Sequence, residues 1–392
     1  MTPGALCYVH LPFCDRICPY CDFAVVEFAQ ARVDRYMRAL HAELHAAAPP
    51  AEPVRSIYFG GGTPSALGGA RIGELLAALF AHFQIAPGSV ECTLEANPSR
   101  NVDDLACYRE AGVNRLSIGV QSFDDAELHR LGRDHTGDDA ARYASAARGA
   151  GFENCSIDLM AGVPDQTSAS FGKTLDRALA CAPDHVSVYG LTIEAGTPYA
   201  TWHARSPNAF PQDDAVADLL EQADATLCAA GMAHYEISNF ARPGFECRHN
   251  QGYWQQRDCI ALGMSASGYA GGVRYRNARG FDDYCTAIEA GRAPRAEEER
   301  LDDADRLGEA AMLALRTSDG IRDDDFHARF GVDARAVFAR PIKECREAGL
   351  LEETREGVRL TARGRLLANA ACMEFLHPAL IPTPFTFGIR TT

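Results

Sequence analysis

Through residue 240 one pattern repeats: a short apolar run, then a stretch whose apolar positions recur every three or four residues. "LCYVHLPF" predicts a strand, and Val33, Tyr36, Met37, Leu40 and Leu44 mark one face of the helix after it. "VRSIYFGGG" predicts a second strand, followed by a helix through Ile72, Leu75, Leu76 and Leu79. "SVECTLEANP" is a third strand, and the helix in "NVDDLACYREAG" ends on a glycine. "NRLSIGVQSF", "NCSIDLMAGVP" and "HVSVYGLTIE" complete the strands, with helices expected around 124–150, 168–181 and 213–230. Six β-α units in succession imply parallel strands with right-handed helical crossovers. An open doubly wound sheet and a barrel both satisfy that. The strand ends ("GGGTP", "EANP", "GVQSF", "IDLMAGVP", "LTIEAGTP") are polar or glycine-rich, as at a barrel mouth where active sites are built. The expectation is an α/β chain with a partial (β/α)6 barrel.

After residue 240 the periodicity weakens. The stretch 239–300 is rich in Gly, aromatics and Arg, and reads as loop and short strands connecting the barrel (1–238) to a C-terminal module. From 301 to 377 the pattern is a helix, then "ARPIKECREAGLLEE" and "GVRLTARGRLLANAACMEFL", which predict a winged-helix-like fold for that module. Residues 378–392 are proline-rich and read as an irregular tail.

Composition narrows the function classes. The net charge of −15 over 392 residues argues against nucleic-acid binding, by the barrel and by the winged module alike, because phosphate contacts are made mainly by Lys and Arg. No apolar run approaches the ~18 residues of a membrane span, and the N-terminus lacks the regions of a signal peptide. Fourteen cysteines then read as reduced thiols of a cytoplasmic protein, with Cys92, Cys155 and Cys228 as small buried hydrophobes.

Three cysteines stand apart. "CDRICPYC" places Cys14, Cys18 and Cys21 directly after the first strand, among Phe13, Tyr20 and Phe23. Spacing alone admits zinc with His10 or Cys7 as the fourth ligand. It also admits an iron–sulfur cluster held on three irons, with the fourth left open. The position at a strand end and the aromatic shelter favour iron.

C-x-x-x-C-x-x-C followed one strand later by "GGGTP" resembles the signature of the radical S-adenosylmethionine (SAM) superfamily. That resemblance implies a 4Fe-4S cluster on Cys14, Cys18 and Cys21 whose open iron chelates SAM, on a barrel of the radical SAM type. The chain is most similar to the coproporphyrinogen-dehydrogenase branch. By that similarity Gly61, Gly62 and Thr63 meet the SAM amino group, where a side chain would block the approach. Glu95 accepts from the ribose hydroxyls, and Gln121, Arg133 and Asp158 are further SAM contacts. Arg133 suits a carboxylate because its planar fork binds bidentately. Tyr8 and Tyr20 flank the cluster. Without the resemblance, Arg133 reads as a solvated side chain, and Glu95 and Asp158 as helix caps.

Within that branch the dehydrogenases carry a further Cys two residues after the third, where this chain has Phe23, and an extension before Tyr8, which only seven residues precede here. "HNQGYW" resembles instead the H-N-x-x-Y-W motif of the HemW heme chaperones, which bind heme and hand it to heme-dependent proteins. The resemblance makes His249 an axial ligand near the barrel mouth and Tyr253 and Trp254 flat faces for the macrocycle. From the residues alone, His249, Asn250, Tyr253 and Trp254 equally make a turn and core packing, and Cys247 and His234 compete as ligands. Ser267 departs from the family, which carries His there. A heme-transfer protein is therefore expected rather than an enzyme, with heme and heme-dependent acceptors as partners and a homodimer left open. The alternative is a radical SAM enzyme acting on a porphyrin or another small substrate; a zinc-stabilised barrel is the third reading.

Overall fold

The computed structural model describes residues 4–98 and 102–376; the tail at 378–392 lies outside the described residues. Six parallel strands form the centre: β1 (Ala5–Leu11), β2 (Val54–Gly61), β3 (Glu91–Ala96), β4 (Arg115–Gln121), β5 (Cys155–Ala161) and β6 (His185–Gly190). They neighbour one another in chain order, with Val9 opposite Phe59 and Ile157 opposite Val186 setting the register. This is the (β/α)6 arrangement expected from the alternation.

The alternation also fixes which side chains face which layer. Val9, Ile57, Leu94, Ile118, Leu159 and Val188 point to one face and join a continuous core with the crossover helices. Helix Gln30–Ala46 buries Val33, Tyr36, Met37, Leu40 and Leu44, and helix Gly68–His82 buries Ile72, Leu75, Leu76 and Leu79, the positions marked by the periodicity. Helix Asp104–Ala111 ends on Gly112 at φ 111°, a left-handed cap that glycine adopts without strain. The opposite face carries Tyr8, Ser56, Tyr58, Thr93, Glu95, Arg115, Ser117, Ser156, Asp158, His185 and Ser187. A sheet with one apolar and one polar buried face is built to surround polar chemistry.

Several elements differ from the sequence reading. The expected helix over 124–150 is two, Asp125–Arg130 and Gly137–Gly149, separated at Gly132 (φ 70°), and an additional helix covers Pro198–Arg205. Cys92 and Cys155 are buried as expected, but Cys228 is exposed. Residues 239–300, read as a connection, extend the same sheet. They supply β8 (Asn239–Ala241), β9 (Cys259–Leu262), β10 (Ser267–Ala270), β11 (Val273–Asn277) and β12 (Arg295–Arg300), after β7 at Ala233–Glu236. The order is β12-β11-β10-β9-β1-β2-β3-β4-β5-β6-β8-β7, with β9 parallel to β1 and β8 antiparallel to β6.

The chain divides into two compact units: residues through Glu299 apart from 235–237 and 253–256, and Arg300 onward with those two stretches. In the second, helices Asp303–Leu315, Asp323–Phe330 and Ala339–Glu347 accompany a three-stranded sheet of Ile321–Arg322, Leu351–Glu353 and Gly357–Leu360. Leu307, Leu315, Phe326, Phe338, Val358 and Phe375 make its core.

Candidate functional site

The cysteine loop begins where β1 ends. Phe13–Cys14 pairs in parallel with Val26–Glu27, and the Val26 and Phe28 amides donate to Pro12 O (2.8 Å) and Cys14 O (2.9 Å). The loop between is thus closed at its base. Cys14 is buried, Cys18 and Cys21 are half-buried, and all three are free thiols. Burial raises the Cys14 thiol to about 11 and the Cys21 thiol in the same direction, so bound iron would have to displace the protons of these two. Two donors reach the sulfurs: Thr63 Oγ1 at 3.5 Å from Cys14 Sγ, and Arg133 Nη1 at 3.7 Å from Cys18 Sγ. Among the described residues no three His, Cys, Asp or Glu side chains converge on a point that suits a single metal ion. A loop that spreads three thiols fits a cluster, where each thiolate takes its own iron.

Around this loop the strand ends supply the remaining groups. Gly61 has φ 111°, and a Cβ there would fall 2.4 Å from the His10 ring; at Gly62 it would fall 2.6 Å from the Pro12 carbonyl carbon. Only glycine fits either place. Glu95 accepts from Tyr58 Oη (2.9 Å) and Gly61 N (3.2 Å), and burial pushes its carboxyl up to about 7. Arg133 donates to Asn97 Oδ1 (2.7 Å) and Gly119 O (2.5 Å), while Asn97 Nδ2 donates to Thr63 Oγ1 (3.2 Å). Gln121, left-handed at φ 68°, sets its amide near Gly119 beside the same guanidinium. A cavity of about 420 Å³ opens among Cys18, Thr63, Asn97 and Arg133.

The structure therefore gathers Cys14, Cys18, Cys21, Gly61, Gly62, Thr63, Glu95, Gln121 and Arg133 at one end of the parallel strands. Tyr20 joins them, edge-on to Tyr199 at 5.9 Å. Tyr8 lies on the inner face, stacked on Tyr58 at 6.3 Å and bonded to His10 Nδ1 at 3.1 Å. Asp158 sits deeper, its carboxylate accepting from Ser117 (3.0 Å) and Ser156 (3.1 Å) while burial raises its pKa. Neither Glu95 nor Asp158 caps a helix, and Arg133 is no solvated side chain. Sequence reasoning passed over Asn97 and Tyr58, and offered His10 only as a zinc ligand; its Nε2 lies 2.8 Å from Ala24 O in the cysteine loop. Asn97 was legible in principle, as the polar residue closing "LEANP".

The "HNQGYW" motif takes a different place from the one expected. It forms a helix, Arg248–Trp254, rather than loop or strand. Glu91 sits at its N-terminus and accepts from Arg248 N (3.1 Å) and His249 N (3.0 Å). His249 is 1% exposed, bonded through Nδ1 to Ser56 Oγ at 2.8 Å and packed on Tyr58 at 5.1 Å. Ser56 is five residues before Gly61 on β2, roughly 16 Å along a strand. His249 thus lies toward the opposite end from the cysteines, and not at the mouth. Burial lowers its pKa to about 3, so the ring is neutral. Tyr253 and Trp254 belong to the second unit, where the Arg316 guanidinium lies 5.1 Å from the Trp254 ring. Of the competing ligands, Cys247 is buried against Glu91 (3.7 Å), and His234 pairs with Asp224 (2.7 Å). Ser267 is exposed on β10 opposite Arg276.

Residues 8–178 match the radical SAM superfamily, a span containing the three cysteines and each strand end just described. Residues 301–367 match the HemN C-terminal domain. A Bacillus subtilis protein named heme chaperone HemW is 33% identical over 94% of this chain and 98% of its own length. Its Mycobacterium tuberculosis namesake is 39% identical over 94% of each. The chain belongs to the HemW family. Among solved structures, the Escherichia coli coproporphyrinogen III oxidase HemN, described as a radical SAM enzyme, superposes with a TM-score of 0.84 at 26% identity. That match covers 95% of this chain and 90% of the other. Membership of HemW within the radical SAM superfamily accounts for the glycine loop beside the cysteines. It also accounts for a C-terminal unit shared with HemN. Among the described residues no helix is long and apolar enough to cross a membrane.

Proposed function

We propose that the chain is a cytoplasmic heme chaperone, which binds heme and passes it to heme-dependent proteins. On this reading it carries a 4Fe-4S cluster on Cys14, Cys18 and Cys21 and SAM at the strand ends. The observation that carries the proposal is the convergence of three free thiols, the glycine loop and the Arg133–Asn97–Thr63 chain in a member of the HemW family. A bound cluster supplies an iron with an open coordination position and a site for electron transfer.

The chain's own residues have separable tasks in this scheme. Arg133 directs one amino group at Cys18 and another at Asn97, so its fork is fixed beside the thiol where a carboxylate would dock. Gly61 and Gly62 let the strand end pack against His10 and Pro12 beside the cysteine loop, where on this reading its backbone meets the SAM amino group. Glu95, bonded to Gly61 N, is the acceptor for hydroxyls. Tyr8, Tyr20, Gln121 and Asp158 complete the SAM-binding set. His249 is kept in the neutral form that ligates iron, with Tyr253 and Trp254 following on the same helix. Its burial means that this helix has to move before heme reaches the imidazole.

The likeness to HemN favours a second reading, an enzyme acting on a porphyrin or another small substrate. One experiment separates them: anaerobic purification and cluster reconstitution, then incubation with hemin and SAM. A sharp Soret band and heme delivery to an apo-acceptor, without sustained deoxyadenosine release, is the expected outcome. Absence of heme binding together with SAM cleavage on a porphyrinogen would overturn the chaperone reading.

A further inference from the structure

Tyr58 lies between two places that the proposed function gives to different ligands. It stands on the inner face of β2, between Ser56 and Gly61 in the chain. Its hydroxyl donates to Glu95 Oε1 at 2.9 Å, while Gly61 N donates to Glu95 Oε2 at 3.2 Å. Its ring meets the His249 imidazole at 5.1 Å, tilted by 33°. One side chain thus touches both the carboxylate placed for the SAM ribose and the imidazole placed for heme iron.

The direction in which that hydroxyl points depends on how the ring is packed. Tyr8, opposite Tyr58 in the register of β1 and β2, stacks on it at 6.3 Å. Gly60 lets the ring lie close over the strand: a Cβ there would stand 3.0 Å from the Tyr58 ring and 3.1 Å from Glu95 Oε1. His249 is a further wall, anchored to Ser56 Oγ at 2.8 Å. That wall belongs to the helix that has to move before heme reaches the imidazole. Burial raises the Glu95 carboxyl, and the Tyr58 hydroxyl is the strongest influence against it, ahead of Gly61 N and the Arg115 charge, while Asp158 adds to the rise. A ribose hydroxyl donates better to an ionised carboxylate than to the acid. The Tyr58 bond therefore favours SAM.

We propose that Tyr58 is a positioning residue that sets heme and SAM against each other: it holds Glu95 ready for SAM while the helix Arg248–Trp254 is in place, and it loses that hold when the helix moves for heme. This rests on the heme-chaperone reading above and adds its regulation. Two arrangements of one helix are each favoured by one ligand, which is what coupling between separate sites requires. Heme loading weakens SAM, and SAM drives the helix home and heme out.

The test is calorimetric titration of SAM into the full-length, cluster-reconstituted protein, with and without bound hemin. The wild-type protein should bind SAM about tenfold more weakly when hemin is bound, the lower end for a hydrogen bond to a charged group. By linkage, saturating SAM should weaken hemin by the same factor. Tyr58→Phe keeps the ring against His249 and removes the hydroxyl alone. It should bind SAM about tenfold more weakly than wild type even without hemin, and hemin should cause no further loss. Its iron content and its Soret band with hemin should match wild type, which separates lost positioning from lost folding. Glu95→Ala removes the acceptor, and its residual SAM affinity should likewise be indifferent to hemin. Equal SAM affinity with and without hemin, in wild-type protein that binds both, would overturn the coupling and leave the chaperone reading standing. A hemin effect that persists in Tyr58→Phe would overturn the role of Tyr58, since simple crowding of the two ligands does not need its hydroxyl. Failure of the wild-type protein to bind hemin would overturn the chaperone reading itself, and this inference with it.

Discussion

Glu95 shows how a single residue couples the fold to its ligand. Its carboxyl is raised from an ordinary 4.5 to about 7, first by burial and also by the charge of Asp158. The folded, ligand-free protein therefore keeps a proton that the unfolded chain gives up, and its stability falls as pH rises through that interval. A ribose hydroxyl donating to Glu95 favours the ionised form, so SAM should lower this pKa and bind more tightly as pH rises through about 7. Below that, the dependence should approach tenfold per pH unit at most, roughly the linkage of one proton. Calorimetric SAM titrations between about pH 6 and 8, bracketing that value, check it, and Glu95→Gln should flatten the profile. At the three cysteines the expectation is iron content rather than affinity. Cys14→Ala, Cys18→Ala and Cys21→Ala should each lower it sharply, because a coordinating thiolate has no neutral substitute, whereas Cys155→Ala should leave it unchanged.

At the level of elements, the helix Arg248–Trp254 explains both what the sequence disclosed and what it hid. The six strands and their crossover helices were legible because each needs only local periodicity: Leu40 and Leu44, or Leu75 and Leu79, declare a buried face by spacing alone. The strand ends were legible as polar motifs. The helix over 248–254 was not, since its seven residues span about two turns and its support is distant in sequence. Glu91 precedes His249 by 158 positions and Ser56 by 193. No local pattern announces that a carboxylate from β3 will satisfy two amides at this N-terminus. Glu91→Ala should therefore destabilise the fold by about 2–4 kcal/mol, the cost of leaving buried donors unmatched, measurable by denaturant unfolding. The histidine adds a pH signature of opposite sign to that of Glu95. Unfolded His249 takes up a proton near 6.5, whereas the folded ring refuses it until about 3, so its contribution to stability is present at neutral pH and lost as pH falls through that window. His249→Gln should flatten this part of the acid-unfolding curve.

At the level of the whole molecule, the chain and HemN share a fold without thereby sharing a reaction, because function resides in the site and not in the scaffold. The inner face of the parallel sheet is the decisive surface. Here it is filled by the chain's own side chains, with Arg115 at 2% exposure and His185 and His249 at 1% each. Ser117, Ser156 and Asp158 are tied together by hydrogen bonds beneath them. A coproporphyrinogen lodged along that face up to the cysteine loop would have to displace a buried polar network whose members would lose their partners, at a cost of a few kcal/mol for each group left unmatched. On the proposed reading, by contrast, heme reaches His249 at the far end by movement of the helix Arg248–Trp254 alone. Phe23 stands where the resembling dehydrogenases carry a further cysteine, and its ring is largely exposed rather than part of a ligand set. The reconstituted protein, supplied with SAM and a reductant, should therefore leave coproporphyrinogen III unconverted. Phe23→Cys should not restore turnover, because it adds a thiol at the loop surface and clears nothing from the inner face. Consumption of coproporphyrinogen III by the wild-type protein would show that the inner face opens, and would move the chain from the chaperone reading to the enzymatic one.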